Sequence, residues 1–464
     1  MTRLIFMLFL GLLLVPRAGH AQQPRQVALR DALEQARHQH VDLAVVRARV
    51  QAARLDAEVP QKRWQPTVGA SAQFLAGTTN NTTASYLGSP LVDIPRIGST
   101  RSVAGLGSLT PEPTTLATVG ARQMLYDGGL VAAEQAVADA QLRAETQTAR
   151  SAWLDVSLRV EEAWFAVRAA HQVLLAAEQA RTRALAHRDL VAALVKQKLR
   201  PMADQTREEA QLQRSEVDVL QAQAGLAVTR ALLAASMGVV EAEIDAAEVS
   251  EPLPPSPSLE EAAQRAIRQS PRLQAAAARL AAQEAQTRVH EAEARPELHA
   301  SAGVSMRAGG AQPSSGQPAE LGGWLPEVPN WFAGVVLNWP LYDAHKSAQT
   351  RTSQAHAQIL AREIEAMREA RRVTVQRAWA TVQFALQTLP ALQKAQEAAR
   401  LNDAQAQALL QRGLNSGVEV TDAATRLAEA DIAVATGQFQ AARARAQLAR
   451  AMAEDWYGAE ASEP

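Results

Sequence analysis

Two stretches of the chain decide its fold: residues 29–52, LRDALEQARHQHVDLAVVRARVQA, and residues 259–282, LEEAAQRAIRQSPRLQAAAARLAA. They align without a gap at an offset of 230 residues, and identical leucine, alanine, glutamine and arginine residues recur along both. The match extends to residues 300–302, ASA, which repeat residues 70–72. A repeat of this length predicts that the chain contains two copies of one structural unit.

Two later blocks extend the duplication. Residues 125–127, LYD, recur as residues 341–343 at an offset of 216, and matches between residues 199–237 and 414–452 follow at an offset of 215. We therefore expect a first structural repeat at residues 22–238 and a second at residues 258–455. Between them, residues 239–257 are acidic and rich in proline, which predicts a linker, and residues 456–464 form a C-terminal tail.

The N-terminus has the pattern of a secretory signal peptide. Arg3 precedes an uninterrupted apolar run at residues 4–15, and the small residues Gly19 and Ala21 stand where a signal peptidase cleaves. We expect residues 1–21 to be removed. After Ala21 no run of 18 apolar residues follows, so the sequence excludes a helical membrane protein, and a membrane-embedded form must be a β-barrel.

Composition excludes several classes of function. The chain of 464 residues contains no cysteine, which rules out disulfides, thiolate metal sites and cysteine nucleophiles. Its 47 lysine and arginine residues balance 48 acidic residues, so we expect no nucleic-acid partner. Nine scattered histidines indicate no metal site, and the lack of a nucleophile clustered with a base predicts neither enzymatic activity nor a cofactor. The adjacent acids Glu161-Glu162 and Glu208-Glu209 do not share a helix face and are predicted to be solvated.

Each copy is predicted to run helix, strand, loop, strand, very long helix, turn, long helix. We expect opening helices at about residues 28–58 and 258–294, long loops at about 76–115 and 307–330, and strands on either side of each loop. The strands alternate apolar and polar residues, which predicts one apolar and one polar face. In the last strand the apolar residues are Trp331, Ala333, Val335, Leu337 and Trp339. Its two tryptophans suit a belt at a membrane interface, and the alternative for Trp331 is a place in the preceding loop.

The longest uninterrupted segments are predicted to be helical. Residues 130–198 contain neither glycine nor proline, and residues 344–412 contain only Pro390. At about 1.5 Å per residue such helices are roughly 100 Å long, far longer than a globular domain needs. The helices that follow carry a seam of mostly small residues at heptad spacing: Leu212, Ser215, Val219, Ala222, Leu226, Thr229, Leu233 and Ser236, then Leu427, Ala430, Val434, Gly437, Ala441, Ala444, Leu448 and Ala451. This pattern predicts closely packed, antiparallel coiled-coil hairpins.

The duplication, the strand that ends in Leu125-Tyr126-Asp127 and the turn at residues 413–422, GLNSGVEVTD, together resemble the TolC family of outer-membrane efflux proteins. Four strands per chain cannot close a barrel around more than their own side chains, so closure requires several chains. The resemblance implies a mainly α fold with a transmembrane β-barrel. Long antiparallel coiled-coil helices of a homotrimer would form an α-helical tunnel across the periplasm. Four strands per chain would form a shared twelve-stranded barrel in the outer membrane of a Gram-negative bacterium.

The same resemblance implies a function and partners. The trimer would be the exit duct of a tripartite efflux or type I secretion system. Transport through it would be passive, driven by an inner-membrane efflux pump or ABC exporter through a periplasmic adaptor (membrane fusion) protein, and the barrel would contact outer-membrane lipid. The alternative is a secreted or periplasmic structural coiled-coil protein, which explains the long helices but neither the alternating strands nor the duplication.

The resemblance also implies site residues at the periplasmic ends of the hairpins. Glu419 and Asp422 match a ring of acids that narrows the tunnel mouth, and Asp204 matches an acidic position of the first turn. As the alternative, both acids of the second turn are first-turn residues of a helix, where the helix dipole favours negative charge. The residues implied to contact the adaptor are Lys198, Leu199, Arg200, Pro201, Gly413, Leu414, Asn415 and Ser416. Lys198 stands where the family pattern has glycine.

Overall fold

The structure is a computed structural model, and it describes residues 24–78, 111–239, 244–248, 257–309, 328–412, 414 and 417–456. The predicted signal peptide, most of the two predicted loops and the end of the C-terminal tail lie outside these residues. In chain order the helices and strands are β1 (Arg25–Val27), α1 (Leu29–Gln39), α2 (Val41–Asp56), α3 (Val59–Lys62), β2 (Thr67–Thr78), β3 (Pro111–Tyr126), α4 (Leu130–Lys196), α5 (Met202–Ser236), β4 (Ile244–Ala246), α6 (Leu259–Gln269), α7 (Pro271–Ala292), β5 (Glu297–Gly309), β6 (Val328–Asn338), α8 (Ala344–Gln411) and α9 (Gly417–Met452).

Two compact units make up the chain, and each draws segments from both sequence repeats. The helical unit contains residues 1–44, 152–269 and 371–464, and the sheet unit contains residues 45–151 and 270–370. The helical unit holds β1, β4, all of α5 and α9, and the C-terminal parts of α4 and α8. Within the described ranges, every helix lacks the long apolar stretch that a membrane span requires.

The sheet unit is built on a four-stranded antiparallel sheet in the order β2-β3-β5-β6. Its register pairs Ala70 with Val119, Val119 with Val304, and Val304 with Trp331. Because β3 belongs to the first copy and β5 to the second, the two copies meet in the middle of one sheet. The four predicted strands are confirmed, and they extend further towards the loops than predicted.

A water-soluble sheet exposes its polar face and buries its apolar face, and this sheet has the opposite arrangement. The exposed face is apolar and carries Val68, Phe74, Val119, Val304, Met306, Trp331, Val335 and Leu337. The polar face is the buried one, since Thr118, His299 and Ser301 are at most 6% exposed. On it, Ser71 Oγ lies 2.7 Å from Thr118 Oγ1, and Arg122 Nη2 donates to His299 Nε2 at 2.8 Å. The predicted division into an apolar and a polar face is therefore confirmed.

The prediction of one opening helix per copy is wrong, because two helices occupy each predicted range: α1 and α2 in the first copy, and α6 and α7 in the second. The break between α1 and α2 falls at His40, and the break between α6 and α7 falls at Ser270, the equivalent position of the repeat. Pro271 has no N–H to continue α6, and Ser270 caps α7 by accepting a bond from the Leu273 N–H. In the first copy His40 Nδ1 accepts from the Asp42 N–H at 3.2 Å.

The repeated Leu-Tyr-Asp motif marks the start of each very long helix. Asp127 accepts hydrogen bonds from the N–H groups of Gly129 at 3.0 Å and Val131 at 2.6 Å. Asp343 Oδ1 accepts from the N–H groups of His345 at 2.9 Å and of the next residue at 3.2 Å. A carboxylate at this place satisfies the free N–H groups of the first turn and complements the helix dipole.

In the helical unit the same positions of both copies are buried. In the first copy they are Ala32, Ala36, Val160, Val167, Leu233 and Met237, and in the second Ala262, Ala266, Val375, Val382, Leu448 and Met452, all at most 1% exposed. The predicted seam is confirmed most fully in α9, where only Ala430 of its members is not buried. Gly437 shows how closely α8 and α9 approach, because a Cβ there would lie 2.6 Å from Leu392 Cδ1.

The predicted linker contains a short strand that anchors it. β4 pairs in parallel with β1, with Asp245 opposite Gln26. The Asp245 carboxylate is 3% exposed, lies 2.7 Å from His171 Nε2 and accepts a hydrogen bond from Arg230. Burial alone raises the pKa of Asp245, but the hydrogen bonds from Arg230 and His171 outweigh it, so the pKa is lowered. The middle of the linker is thus held to both α4 and α5.

Candidate functional site at the hairpin ends

The first hairpin turn joins α4 to α5 and contains the predicted tip residues Lys198, Leu199, Arg200 and Pro201. The Leu199 N–H donates to Leu194 O at 3.0 Å, and the Lys198 N–H donates to Val195 O at 2.8 Å. This pair of bonds is the Schellman ending of a helix, which requires left-handed backbone just after the last turn. Lys198 supplies it with a φ of 60°, although a side chain in this conformation costs about 1–2 kcal/mol.

The second hairpin turn joins α8 to α9, and Leu414 is the predicted tip residue that the structure describes there. Its N–H donates to Leu409 O at 3.0 Å, which repeats the bond of Leu199 in the first turn. Leu414 is 74% exposed and Leu199 is 66% exposed. Gly413, Asn415 and Ser416 lie outside the described residues. Each hairpin therefore ends in a solvent-exposed leucine.

Asp204 and Glu419 lie in the first turns of α5 and α9, whereas Asp422 lies in the second turn of α9 and is not a first-turn acid. Asp204 lies between two arginines of its own hairpin, 3.8 Å from Arg200 and 3.7 Å from Arg207. Glu419 occupies the equivalent place in α9 and is exposed. Asp422 is 57% exposed and pairs with Arg426 at 3.0 Å, one turn further along the helix. A spacing of three residues puts Glu419 and Asp422 on one side of α9.

Glu208 was predicted to be solvated, and that prediction is wrong. Its side chain is 3% exposed and lies 2.8 Å from His187 Nδ1 of α4. Thr421 of α9 donates to the same carboxylate at 3.2 Å. The heptad seam carries the signal that could have found it, because four residues before Leu212 the seam reaches Glu208. Glu208 therefore joins three helices, while Glu209 is exposed as predicted.

Glu161 is also buried, against the prediction. It is 4% exposed, and burial, helped by the charges of Asp455 and Glu162, raises its pKa to about 8. The neighbouring Glu162 instead accepts hydrogen bonds from α9, from Arg443 Nε at 2.9 Å and from Gln447 Nε2 at 2.8 Å. Adjacent residues of one helix face in different directions. Glu161 is therefore buried, whereas Glu162 reaches hydrogen-bond donors of α9.

Helices α4, α5, α8 and α9 line a cavity of about 810 Å³ in the helical unit. Alanine is its commonest lining residue, and His187, Glu208 and Thr421 contribute polar groups to its wall. Among the residues that the structure describes, no three histidine, aspartate or glutamate side chains are grouped as a metal site requires. The polar side chains His187, Glu208 and Thr421 instead connect one helix to another.

The solved structures that are similar to this chain include outer-membrane channels. The outer-membrane channel OprN is 20% identical over 92% of this chain and 90% of its own, with a TM-score of 0.71. CusC, described for its folding and transmembrane channel formation, is 17% identical over 95% of this chain and 96% of its own, with a TM-score of 0.72. The outer membrane protein VceC from Vibrio cholerae is 17% identical over 92% of this chain and 96% of its own, with a TM-score of 0.69. The fold is therefore that of the outer-membrane channel proteins.

The family follows from the sequence. The model of the outer membrane efflux protein family matches residues 32–239 and 262–454, one match in each copy. The chain belongs to the outer membrane efflux protein family, as the resemblance implied. Both matched ranges include the strands of the sheet. The alternative, a purely structural coiled-coil protein, does not explain these strands. The family and its structural neighbours are channels, not enzymes. No curated protein is similar enough in sequence to count as a relative.

Proposed function

We propose that this chain forms a homotrimeric channel-tunnel in the outer membrane of a Gram-negative bacterium and serves as the exit duct of a tripartite efflux or type I secretion system. Transport through the duct is passive, and an inner-membrane efflux pump or ABC exporter drives it through a periplasmic adaptor protein. The observation that carries the proposal is a sheet with an exposed apolar face and a buried polar face, in a member of the outer membrane efflux protein family.

In this proposal three chains close a twelve-stranded barrel. The sheet has two edge strands, β2 and β6, and unpaired backbone groups at such edges cannot be satisfied in lipid. Pairing β6 of one chain with β2 of the next removes both edges. The exposed apolar face then contacts lipid, and the polar face lines the channel. Trp331 and Trp339, 80% and 57% exposed near the two ends of β6, suit the two membrane interfaces.

The helical unit supports the association of several chains independently. In α9 the residues Ala435, Ala442 and Ala446 are 5%, 8% and 2% exposed. Their equivalents in α5, Leu220, Ala227 and Ala231, are all exposed. This face is thus buried in α9 and exposed in α5. A neighbouring chain would cover the exposed face of α5. Repeating this contact around three chains closes a ring of six hairpins.

At the periplasmic end the proposal assigns the gate to the acids of the hairpin turns. Glu419 and Asp422 from three chains form a ring of carboxylates that attracts cations and repels itself, and Asp204 with its arginines lies at the same end. The hairpin tips contact the adaptor, with Leu199 and Leu414 as their exposed apolar groups. No cofactor or metal takes part in this proposal.

The barrel is tested by placing a charge on the apolar face. Val335→Arg, at a residue 62% exposed, should weaken assembly by roughly 2–4 kcal/mol because the charge enters lipid near the middle of the barrel. The measurement is the yield of SDS-resistant, heat-modifiable trimer from outer-membrane extracts. Ser305→Arg, on the polar face of β5, should give normal yield. Equal yields of wild type and Val335→Arg, or a folded wild-type monomer in mild detergent, would contradict the proposal.

The gate is tested by removing its charges. Glu419→Gln combined with Asp422→Asn keeps the side-chain sizes and deletes two charges per chain. We expect lower cation selectivity and weaker block by multivalent cations in single-channel recordings, with unchanged trimer yield. Glu209→Gln, at an exposed acid of α5, is the control and should change neither property. If the double variant kept wild-type selectivity and block, the two acids would serve only the start of α9.

A further inference from the structure

Phe332 of β6 lies on the polar face of the sheet. Trp331, which precedes it, belongs to the exposed apolar face. Successive side chains of a strand point to opposite faces, so Phe332 points to the face that carries His299 and Ser301. Its partner in the register of the sheet is Gly303 of β5. In the proposed barrel, contact with lipid therefore does not explain this aromatic side chain.

The ring of Phe332 lies along the sheet instead of standing upright on it. A Cβ on Gly303 would be 2.7 Å from both Cε1 and Cζ of the ring. These two atoms are at the far end of the side chain, whereas Gly303 belongs to the next strand, and neighbouring strands are about 4.7–4.9 Å apart. The ring therefore leans across β5, although side chains of a strand usually stand roughly perpendicular to the sheet.

The need for space explains the glycine at position 303. Gly303 is not one of the glycines with a positive φ, so its backbone is one that any residue can adopt. A glycine inside a strand weakens the strand and often marks a close approach. Here a Cβ would meet the Phe332 ring and also Val119 O of β3, at 2.8 Å. Non-bonded carbon atoms pack at about 3.5–4.0 Å, so a side chain at position 303 would have to displace the ring.

Gly334 provides a contrast on the same face. It lies two residues after Phe332 in β6, opposite Ser301 of β5. Apart from its chain neighbours, no heavy atom of the described residues lies within 4 Å of the place where its Cβ would be. The Phe332 ring therefore occupies the space over Gly303 and leaves the space over Gly334 empty. Of the two glycines, Gly303 is the one that makes room for the ring.

We propose that Phe332 sets the width of the barrel lumen at its level and that Gly303 is the positioning residue that holds the ring against the wall. This rests on the proposed trimeric barrel, in which the polar face lines the channel and three Phe332 rings lie at one level. With the rings along the wall the lumen is at its widest, and bulky cargo passes. A side chain at position 303 pushes each ring away from the sheet, towards the axis of the channel.

The resulting selection is by size and not by charge. Phe332 is uncharged, so moving its ring changes the diameter of the lumen, which is one of the properties that decide what a pore admits. The proposed gate at Glu419 and Asp422 acts at the other end of the chain and through its charges. The two effects can therefore be measured separately.

A single engineered thiol reports on passage through the barrel, because the chain has no cysteine of its own. Thr67 is exposed and lies on the polar face of β2, since Val68 is on the apolar face. The register places Gly69 in the row of Gly303 and Phe332, so Thr67 lies two residues closer to the helices. A reagent that enters from the loop side must pass the rings to reach Thr67→Cys.

The measurement is the rate at which Thr67→Cys reacts on intact cells with two maleimides. One carries a polyethylene glycol chain too large for general porins, and the other is small. The small reagent also reaches the periplasm through porins, so its rate controls for the reactivity of the thiol. The labelled chain is quantified on SDS gels beside the yield of heat-modifiable trimer.

Two glycine variants give the matched comparison in the Thr67→Cys background. Gly303→Ala should slow the large reagent by about fivefold or more relative to the small one, because the rings then narrow the lumen. Gly334→Ala adds the same methyl group on the same face in open space and should leave both rates unchanged. Combining Gly303→Ala with Phe332→Ala should restore the rate of the large reagent, because no ring is left to displace.

Variants of the ring itself complete the test, since the contact with Val119 O could also prevent Gly303→Ala from assembling. Phe332→Trp enlarges the ring and leaves β5 unaltered, so it should slow the large reagent. Phe332→Ala should react at least as fast as the parent.

The outcomes separate this proposal from the proposed function. Trimers of Gly303→Ala that react like the parent would overturn it, and so would a rate that stays low when Phe332→Ala is added. Equal rates for Phe332→Trp and Phe332→Ala would exclude the ring as the determinant of width. A parent trimer that reacts only with the small reagent would show that the lumen is limited elsewhere. If the parent formed no SDS-resistant trimer, the proposed function itself would be wrong.

Discussion

Trp164 of the first copy and Trp379 of the second occupy the same place in the repeat and make the same bond. The indole N–H of Trp164 donates to Val27 O at 2.9 Å, and that of Trp379 donates to Pro257 O at 3.0 Å. Trp164 is nevertheless fully buried, whereas Trp379 is only partly buried. The difference teaches that the duplicated sequence repeats the local contacts, while the surrounding tertiary structure decides how deeply each residue is buried.

The two copies also differ at one acidic position and at the ends of two helices. Glu161 is buried in α4, and its equivalent in α8, Gln376, is exposed. Lys198 and Ala453 both end helices with a left-handed backbone, at φ of 60° and 62°. Their equivalents in the other copy are glycines, Gly413 and Gly238. The two copies have thus kept one backbone plan with different side chains, so substitutions that exchange their residues measure what each difference contributes.

The largest effect is expected at the tryptophans. Trp164→Ala removes a fully buried indole and should lower the free energy of unfolding by about 3–5 kcal/mol. Trp379→Ala removes a partly exposed indole with the same hydrogen bond and should lower it by about 2 kcal/mol. Denaturant unfolding of the purified protein, followed by far-UV circular dichroism, gives both values. Equal losses would mean that the hydrogen bond, and not burial, dominates at this position.

A smaller, pH-dependent effect is expected when the first copy receives the residue of the second. The pKa of Glu161 is raised from 4.5 to about 8, so between those pH values the unfolded chain has lost a proton that the folded chain retains. Stability therefore falls as pH rises through this window, and the loss is complete above about pH 8. Glu161→Gln should abolish the loss and be more stable than wild type by on the order of a few kcal/mol at pH 9, with no gain at pH 4.

Thermal unfolding of the purified protein between pH 4 and pH 9 is the measurement for Glu161. Gln376→Glu, which places the acid at the exposed equivalent position in α8, is the matched control and should show no such dependence. A wild-type protein whose melting temperature did not fall between pH 5 and pH 8 relative to Glu161→Gln would contradict the assignment of a neutral, buried carboxyl.

The smallest effect is expected at the helix ends. Lys198→Gly relieves the left-handed side chain and should raise the free energy of unfolding by about 0.5–1 kcal/mol, whereas Lys198→Ala keeps a Cβ and should not. The reverse exchange, Gly238→Ala, should be destabilising, because its Cβ would lie 3.0 Å from both Gln39 O and His40 Cα. Melting temperatures of the three variants are sufficient to compare them. Equal values for Lys198→Gly and Lys198→Ala would exclude backbone strain at the first turn.

Regular features could be predicted because they repeat along the chain at a local period. Heptad spacing identified the seams of α5 and α9, and alternation identified the faces of all four strands, since both patterns follow from the geometry of one element. The breaks at His40 and Ser270 were missed. Pro271 signals the second break, but nothing comparable marks His40, whose ring accepts a bond from the backbone two residues on.

The sequence by itself determined the duplication, the order of the four sheet strands and the long helices, and the family, because each is encoded in periods and spacings along the chain. The tertiary structure alone decided that Glu161 is buried, which raises its pKa, and that Glu162 is held by α9. It also decided that Glu208 joins three helices. The partners of these acids, such as Arg443 and Thr421, lie more than two hundred residues away in the sequence. No local period relates residues so far apart, and only the packing of α9 against α4 and α5 brings them within hydrogen-bonding distance.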